Sequence, residues 1–229
     1  MTKAPFTFSF KVAAFALLLS FLAAPALAQP LGVLVFGDSL TNGFDLPENQ
    51  SFPAQLKRRL LADGYNVMVW NGSVAGDTSA DGYSRIGEAL QVNPDLVLVE
   101  FGANDMLDRT DPRVTYRYLD AIIRVCKARG ARVILAGMLS LPKNGPNYIV
   151  GFNNIYPALA HNLRVPLYPF LLAGVYGHPG LMQSDNEHPN ALGTARMVAG
   201  IAPMIEASLR QIRVAHSGPR HRREALARQ

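Results

Sequence analysis

The chain has 229 residues, of which 49% are hydrophobic, and it carries a formal net charge of +5 at pH 7. This length fits one domain with a substantial core. The positive excess lies at the two ends of the chain and the stretch between them is formally neutral, so the composition gives no support for nucleic acid as a partner. Cys126 is the only cysteine, which excludes an intrachain disulfide and favours a small buried core residue.

The first 28 residues have the pattern of a secretory signal peptide. Lys3 and Lys11 precede an apolar stretch over residues 12–24, and residues 26–28 read Ala-Leu-Ala, a small-x-small cleavage site. The apolar stretch is shorter than the ~20 residues that a membrane span needs, which favours export and cleavage over a stable membrane anchor. We therefore expect cleavage after Ala28 and a periplasmic or secreted protein.

The rest of the chain divides into a domain over residues 29–216 and a basic tail over residues 217–229. The tail holds four arginines, and we expect it to be disordered. Within the domain, apolar runs alternate with amphipathic stretches. The predicted strands are Leu31–Phe36, Asn66–Trp70, Leu96–Phe101, Arg132–Gly137 and Val165–Tyr168. The predicted helices are Phe52–Asp63, Ser79–Val92, Pro112–Arg129, Tyr148–Asn162 and Asn190–Arg213.

The strand segments are continuously apolar rather than alternating, which is typical of strands that are buried on both faces of a parallel sheet. Their alternation with helices predicts a three-layer α/β fold, with helices on both faces of the sheet. Polar motifs follow the first three strands: Gly37-Asp38-Ser39, residues 71–78 and residues 102–105. Ligand sites in such sheets form beyond the carboxyl ends of the strands, so we expect these motifs to meet at one edge.

Ser39 is the candidate nucleophile, and a serine hydroxyl needs a positioned base. His188 is the candidate base, because Asp185 stands three residues before it, an offset that lets a carboxylate in a tight turn meet the imidazole Nδ1–H. Gly76 and Asn104 are candidate donors to a developing oxyanion, together with the N–H of Ser39 at a helix start. Each residue also has a purely structural interpretation as a cap or turn residue.

Together these residues resemble the SGNH hydrolase superfamily, also called the GDSL esterase/lipase family. Four blocks match in order: Phe-Gly-Asp-Ser-Leu-Thr-Asn-Gly at residues 36–43, Asn-Gly-Ser-Val-Ala-Gly-Asp-Thr at 71–78, Gly-Ala-Asn-Asp at 102–105 and Asp-Asn-Glu-His-Pro at 185–189. The resemblance implies a flavodoxin-like fold with a five-stranded parallel sheet. It implies a catalytic triad of Ser39, His188 and Asp185, and an oxyanion hole formed by Ser39 N–H, Gly76 N–H and the Asn104 side chain. Relatives often have glycine where Asn186 stands, and asparagine tolerates positive φ.

Within that family the chain is similar to the bacterial periplasmic group of acyl-CoA thioesterase I, lysophospholipase L1 and arylesterase. This similarity implies hydrolysis of aryl and short or medium acyl esters, and of acyl thioesters and lysophospholipids. The proline-, glycine- and apolar-rich segment 138–150 follows the fourth strand, and we expect it to form one wall of an acyl pocket. The candidate substrate-binding residues are Asp38, Leu40, Met138, Leu141, Pro142, Leu181 and Met182.

Two alternative functions remain open from the sequence: a carbohydrate O-deacetylase of the cell envelope, which would use the same triad, and a non-catalytic periplasmic binding protein. We expect no cofactor, because residues 72–76 lack the glycine spacing of a dinucleotide fingerprint. We also expect no metal, because His178, Asp185, Glu187 and His188 lack a recognised ligand spacing. The expected partner is a small-molecule or lipid ester. The sequence does not indicate an oligomeric state.

Overall fold

A computed structural model describes residues 29–217. The predicted signal peptide at residues 1–28, and all of the predicted tail except Ser217, lie outside the described residues. The strands are β1 (Leu31–Phe36), β2 (Val67–Asn71), β3 (Leu96–Glu100), β4 (Arg132–Ala136) and β5 (Leu167–Tyr168). The helices are α1 (Ser39–Asn42), α2 (Phe52–Ala62), α3 (Ser79–Ala89), α4 (Ala103–Leu107), α5 (Pro112–Ala128), α6 (Pro146–Asn153), α7 (Ile155–Leu163) and α8 (Ala191–His216). Short 3₁₀ turns cover Glu48–Gln50, Leu90–Val92 and Pro142–Asn144.

The five strands form one parallel sheet in the order β2-β1-β3-β4-β5. Every residue of β1 and β3 is buried, which explains why their sequences are apolar except for Glu100 at the end of β3. Helices α2 and α8 pack together on one side of the sheet, and α5 packs with α3 and α7 on the other. The predicted three-layer α/β fold with a five-stranded parallel sheet is therefore confirmed.

The prediction of one helix over residues 148–162 is wrong, because two helices, α6 and α7, meet there at Asn154. Pro157 explains the break, since its ring nitrogen has no hydrogen to donate to the carbonyl of Asn153 one turn earlier. The final helix continues three residues beyond the predicted end, to His216. A helix start at Ser39 was expected and corresponds to α1, whereas α4 was not predicted; both begin directly at the polar motifs that follow β1 and β3.

Cys126 lies in α5 and is fully buried in the hydrophobic core. Burial raises the pKa of its thiol to about 12, so the side chain stays protonated and acts as a small apolar core residue. Within residues 29–217, none of the helices combines the length and the apolar character that crossing a bilayer requires.

Candidate active site

The chain turns sharply at Gly37 as it leaves β1, and this turn presents Ser39 at the first position of α1. A Cβ atom at Gly37 would lie 2.5 Å from the carbonyl oxygen of Glu100, in the adjacent strand β3, so only glycine fits this position. Asp38 caps α1, because its Oδ1 atom accepts a hydrogen bond of 3.0 Å from the N–H of Leu40. The Ser39 N–H lies in the first turn, where helix N–H groups have no intrahelical acceptor.

Ser39, His188 and Asp185 lie in hydrogen-bonding contact. Nε2 of His188 is 3.0 Å from Oγ of Ser39, and Nδ1 of His188 is 2.7 Å from Oδ2 of Asp185. The other oxygen of Asp185 accepts hydrogen bonds from the backbone N–H groups of Glu187 (2.9 Å) and His188 (3.0 Å). Partial burial works against ionisation of Asp185, but these hydrogen bonds outweigh it and lower the pKa of Asp185 to about 2.

The turn that carries His188 is held by its own backbone and by the start of α8. Asn186 has a φ of 57°, the left-handed conformation that asparagine tolerates. Met182 and Pro189 form an isolated antiparallel bridge, and the N–H of Gln183 donates to the carbonyl of His188 at 2.8 Å. These backbone contacts fix the conformation of the turn, in which the carboxylate of Asp185 meets the imidazole of His188.

Asn104 contacts the loop that carries Gly76 by a hydrogen bond to Asp77, the next residue. The side-chain amide of Asn104, in the first turn of α4, donates to the carbonyl of Asp77 at 2.9 Å. Gly76 has a φ of 86°, and a Cβ atom there would have no neighbour within 4 Å. The glycine is therefore required by backbone conformation rather than by space. Residue Asn104 lines the same cavity as Ser39 and His188.

Two buried carboxyl groups, Asp38 and Glu100, lie close to the start of α1, and both are essentially inaccessible to solvent. Oε2 of Glu100 accepts from the hydroxyl of Thr41 at 3.1 Å and from the N–H of Asp38 at 3.4 Å. Burial raises the pKa of Glu100 to about 7, and burial together with the negative charge of Glu100 raises the pKa of Asp38 well above its ordinary value. Glu100 was not predicted as a site residue, although a carboxylate in an otherwise apolar strand is a visible signal.

A third buried acid, Asp105, holds α4 in place. Its carboxylate accepts hydrogen bonds from the backbone N–H of Ser79 (2.8 Å), the hydroxyl of Ser79 (2.5 Å) and the hydroxyl of Thr115 (2.9 Å). These donors come from α3 and α5. Asp105 therefore fixes the helix that carries Asn104 against two neighbouring helices.

A cavity of about 740 Å³ opens beside Ser39, His188 and Asn104. Of the predicted substrate-binding residues, Leu40, Met138, Leu141 and Pro142 line it, and the segment after β4 does form one of its walls. Five further lining residues lie outside the predicted segments: Met106, Leu107, Phe170, Leu172 and Tyr176.

The structure does not place Asp38, Leu181 or Met182 among the residues that line this cavity. Asp38 is fully buried, and its carboxyl group caps the amino-terminal end of α1. Met182 is buried and bridges to Pro189, and Leu181 packs against the hydrophobic core. Proximity to Ser39 or Asp185 along the chain did not indicate which way these side chains point.

The model of the GDSL-like lipase/acylhydrolase family matches residues 35–196. An arylesterase of Vibrio mimicus is 41% identical over 158 residues, which cover 69% of this chain and 79% of that protein. Thioesterase 1/protease 1/lysophospholipase L1 of Escherichia coli K12 is 39% identical over 178 residues, which cover 77% and 82% of the two chains. Esterase TesA of Pseudomonas aeruginosa is 37% identical over 182 residues, which cover 79% and 90%.

A crystal structure of a TesA protein is 36% identical and has a TM-score of 0.74, covering 77% of this chain and 99% of that one. The family model covers most of the domain, and the solved structure shares its three-layer architecture. The chain therefore belongs to the GDSL-like lipase/acylhydrolase family and is a carboxylic ester hydrolase.

Proposed function

We propose that the chain hydrolyses carboxylic esters through an acyl intermediate on Ser39, with His188 as general base and Asp185 as the residue that orients it. The observation that carries the proposal is the continuous contact from carboxylate to hydroxyl, 2.7 Å from Asp185 to His188 and 3.0 Å from His188 to Ser39. These distances are within hydrogen-bonding reach for proton transfer.

The mechanism begins when Oγ of Ser39 attacks the carbonyl carbon of the ester and its proton passes to Nε2 of His188. The negative charge of Asp185 stabilises the imidazolium and keeps Nδ1 as the donor. The tetrahedral intermediate collapses as His188 gives the proton to the leaving alkoxide or thiolate. A water molecule, activated by the same Nε2 atom, then attacks the acyl-serine and releases the carboxylic acid and free Ser39.

The developing oxyanion would be bound by the N–H of Ser39, the N–H of Gly76 and the side-chain amide of Asn104. Support comes from the hydrogen bond that the Asn104 amide donates to the carbonyl of Asp77, the residue next to Gly76. This contact holds the Asn104 side chain close to the backbone of Gly76. Loss of one such donor costs ~2.7–4 kcal/mol of barrier in a well-studied serine hydrolase.

The substrates that fit the cavity best are aryl esters and esters of short or medium acyl chains. Its lining is dominated by apolar side chains such as Met138, Leu139, Leu141 and Leu172, which favour an apolar acyl or aryl group beside Ser39. The names of the related arylesterase and thioesterase 1/lysophospholipase L1 extend the proposed substrates to acyl thioesters and lysophospholipids. A carbohydrate O-deacetylase would need more polar groups to bind sugar hydroxyls.

We also propose that residues 1–28 are removed on export and that the enzyme acts in the periplasm or outside the cell, with residues 217–229 as a basic tail. The supporting observations are the charged start, apolar stretch and small-residue cleavage site of the sequence. Mass spectrometry of the protein recovered from an exporting cell should give an amino terminus at Gln29. A protein that retains Met1 would contradict this proposal.

The proposed function is tested by turnover of p-nitrophenyl esters graded by acyl length, compared with a phenyl ester, an acyl-CoA and an acetylated glycan. Ser39→Ala should abolish turnover of every substrate while the circular dichroism spectrum and melting temperature stay close to those of the wild type. Ser84→Ala is the matched control, because Ser84 is an exposed serine of α3 whose hydroxyl bonds only to the carbonyl of Asp81. Ester turnover by Ser39→Ala near the wild-type rate would show that the nucleophile is wrongly assigned.

A further inference from the structure

The guanidinium group of Arg85 contacts the chain segments that carry the donors of the proposed oxyanion hole. Arg85 belongs to α3, and its side chain is 22% exposed. Its Nε donates to Oδ2 of Asp77 at 2.5 Å, its Nη2 donates to the carbonyl of Gly37 at 3.1 Å, and its Nη1 donates to the carbonyl of Gly72. One side chain thus joins the loop after β1 to both ends of the loop after β2.

The same guanidinium lies over two aromatic rings. Its central carbon is 4.4 Å from the ring centroid of Phe36 and 5.7 Å from that of Phe101. These two rings contact each other edge to face, with centroids 5.1 Å apart. Phe101 immediately follows β3, three residues before Asn104, so the rings connect Arg85 to the third segment of the site.

Two of the hydrogen-bond partners of Arg85, Gly37 and Asp77, stand close in sequence to a proposed oxyanion donor. Gly37 stands two residues before Ser39, and Asp77 directly follows Gly76. Asp77 has contacts on two sides: its carboxylate pairs with Arg85, and its carbonyl accepts the side-chain amide of Asn104 at 2.9 Å. A displacement of Asp77 would therefore move the N–H of Gly76 and the amide of Asn104 together.

We propose that Arg85 is a positioning residue for the oxyanion hole: it fixes the three donor segments relative to one another before substrate arrives. This inference rests on the proposed function, because it assumes that Ser39, Gly76 and Asn104 bind the oxyanion. Arg85 is not among the residues that line the cavity, so it acts through Asp77 and the loop backbones rather than on the substrate.

Arginine is the residue type that this position requires. A guanidinium is planar and presents five N–H donors in a fixed fork, whereas a lysine ammonium is a point charge on a flexible stem. Lysine at position 85 would keep the positive charge beside Asp77. It could not donate hydrogen bonds to Asp77, Gly37 and Gly72 in the same fixed geometry. Arg85→Lys therefore separates the loss of positioning from the loss of charge.

The first test is the steady-state kinetics of Arg85→Lys with a p-nitrophenyl ester. We expect kcat to fall ~10–100-fold with KM nearly unchanged, because small displacements of a preorganised site cost that much in rate. Enzyme concentration is taken from titration with a fluorophosphonate, so that unfolded protein is not counted. The control is Arg124→Lys, since Arg124 pairs with Asp120 on the exposed surface of α5 and should leave kcat unchanged.

The second test is a double-mutant cycle of Arg85→Lys with Asn104→Ala. If Arg85 had only a structural role, the effects of the two substitutions on kcat would be independent. If Arg85 acts through the oxyanion hole, Arg85→Lys should lower kcat by a smaller factor once Asn104 is already alanine, because only the donors of Ser39 and Gly76 are then left to position. In the background of Asp185→Asn, on the other side of Ser39, the same substitution should keep its full effect. Arg85→Gln, which retains two amide N–H donors, replaces Arg85→Lys if the lysine variant does not fold.

Three results separate the possible failures. Wild-type kcat in Arg85→Lys would overturn the inference, and so would an equal loss of kcat in the presence and absence of Asn104. In the second case the oxyanion hole itself would stand, because Asn104→Ala alone would still lower kcat. If Asn104→Ala does not change kcat, the proposed oxyanion hole is wrong and the positioning role of Arg85 is rejected with it.

Discussion

The ring of Phe44 lies against the imidazole of His188, with centroids 4.4 Å apart and ring planes inclined by 31°. Phe44 follows α1 and is itself partly exposed, and its ring covers one face of the imidazole. Gln183 holds this arrangement, because its side-chain amide donates to the carbonyl of Phe44 at 2.8 Å and to the carbonyl of Pro189 at 3.1 Å. The loop after α1 thereby supports the loop that carries His188.

Replacing Phe44 with leucine should lower kcat by a small factor, about 2–5-fold, because a cation over an aromatic ring at such a site gains ~0.5–1 kcal/mol. The ring would stabilise His188 most when the imidazole carries the positive charge during attack. Phe44→Tyr is the control, since it keeps the ring. Full activity of Phe44→Leu with p-nitrophenyl esters would show that the contact has no effect on the base.

Replacing Asp185 with asparagine should lower kcat by ~10³–10⁴-fold, because the amide does not hold the imidazole in the required tautomer and leaves the imidazolium unpaired. Hydrogen bonds from His188 and Glu187 hold the pKa of Asp185 at about 2, so the wild-type carboxylate is ionised throughout the range from pH 5 to 9. The loss of kcat should therefore be similar at each pH in this range. A loss that appears only at low pH would contradict the proposed role.

Replacing Glu100 with glutamine should reduce the pH dependence of stability. The pKa of Glu100 is raised to about 7 by burial, whereas in an unfolded chain a glutamate has a pKa near 4.3. The folded protein therefore binds more protons than the unfolded protein between about pH 4.3 and 7, and its free energy of unfolding falls as pH rises through that window.

Glutamine remains neutral, so Glu100→Gln should flatten this decline, with Asp38 as the remaining source of slope. Urea unfolding at half-unit steps from pH 4.5 to 7.5 measures the effect. Glu88→Gln, on the exposed surface of α3, provides the control and should leave the slope unchanged. An identical slope in the wild type and Glu100→Gln would mean that Glu100 is not held protonated by burial.

Enlarging a side chain in the wall after β4 should shift acyl preference. Leu141 lines the cavity and is only partly buried, so tryptophan can replace it with its ring directed into the cavity. We expect Leu141→Trp to lower kcat/KM for p-nitrophenyl octanoate at least ~10-fold relative to the acetate, since each lost methylene contact in such a pocket is worth ~1–3 kcal/mol.

The control for this substitution is Leu192→Trp, because Leu192 is 67% exposed at the start of α8 and is not a cavity residue. This control should leave the octanoate-to-acetate ratio unchanged. An unchanged octanoate-to-acetate ratio of kcat/KM in Leu141→Trp would show that the acyl chain does not bind beside Leu141.

The sheet and the juxtaposition of Ser39, Asp185 and His188 could be predicted because the strand signals are local and because four ordered sequence blocks resemble those of a family with this triad. Continuously apolar strands indicate a buried parallel sheet, and the position of Ser39 directly after a strand places it at the carboxyl edge. The three-residue offset of Asp185 from His188 is likewise local. The left-handed conformation at Asn186 agrees with the tolerance expected of asparagine.

Other features could not be predicted because they depend on contacts between distant segments. Glu100 accepts a hydrogen bond from Thr41, 59 positions earlier in the chain, and Gln183 donates to Phe44 across 139 positions. Arg85 joins loops that no spacing rule relates. Met182 was expected at the cavity because it lies near Asp185 in sequence, but its bridge to Pro189 holds it in the core. Side-chain direction in a loop is set by such tertiary contacts, which sequence neighbours do not reveal.

The most direct test of the central claim is peptide mass mapping after incubation with an aryl-ester-sized fluorophosphonate. The account predicts one adduct, on Oγ of Ser39, which forms in parallel with loss of esterase activity. It should be absent from Ser39→Ala and form far more slowly in His188→Ala. An adduct on any other residue, or complete inactivation with Ser39 unmodified, would contradict the claim that this hydroxyl is the nucleophile.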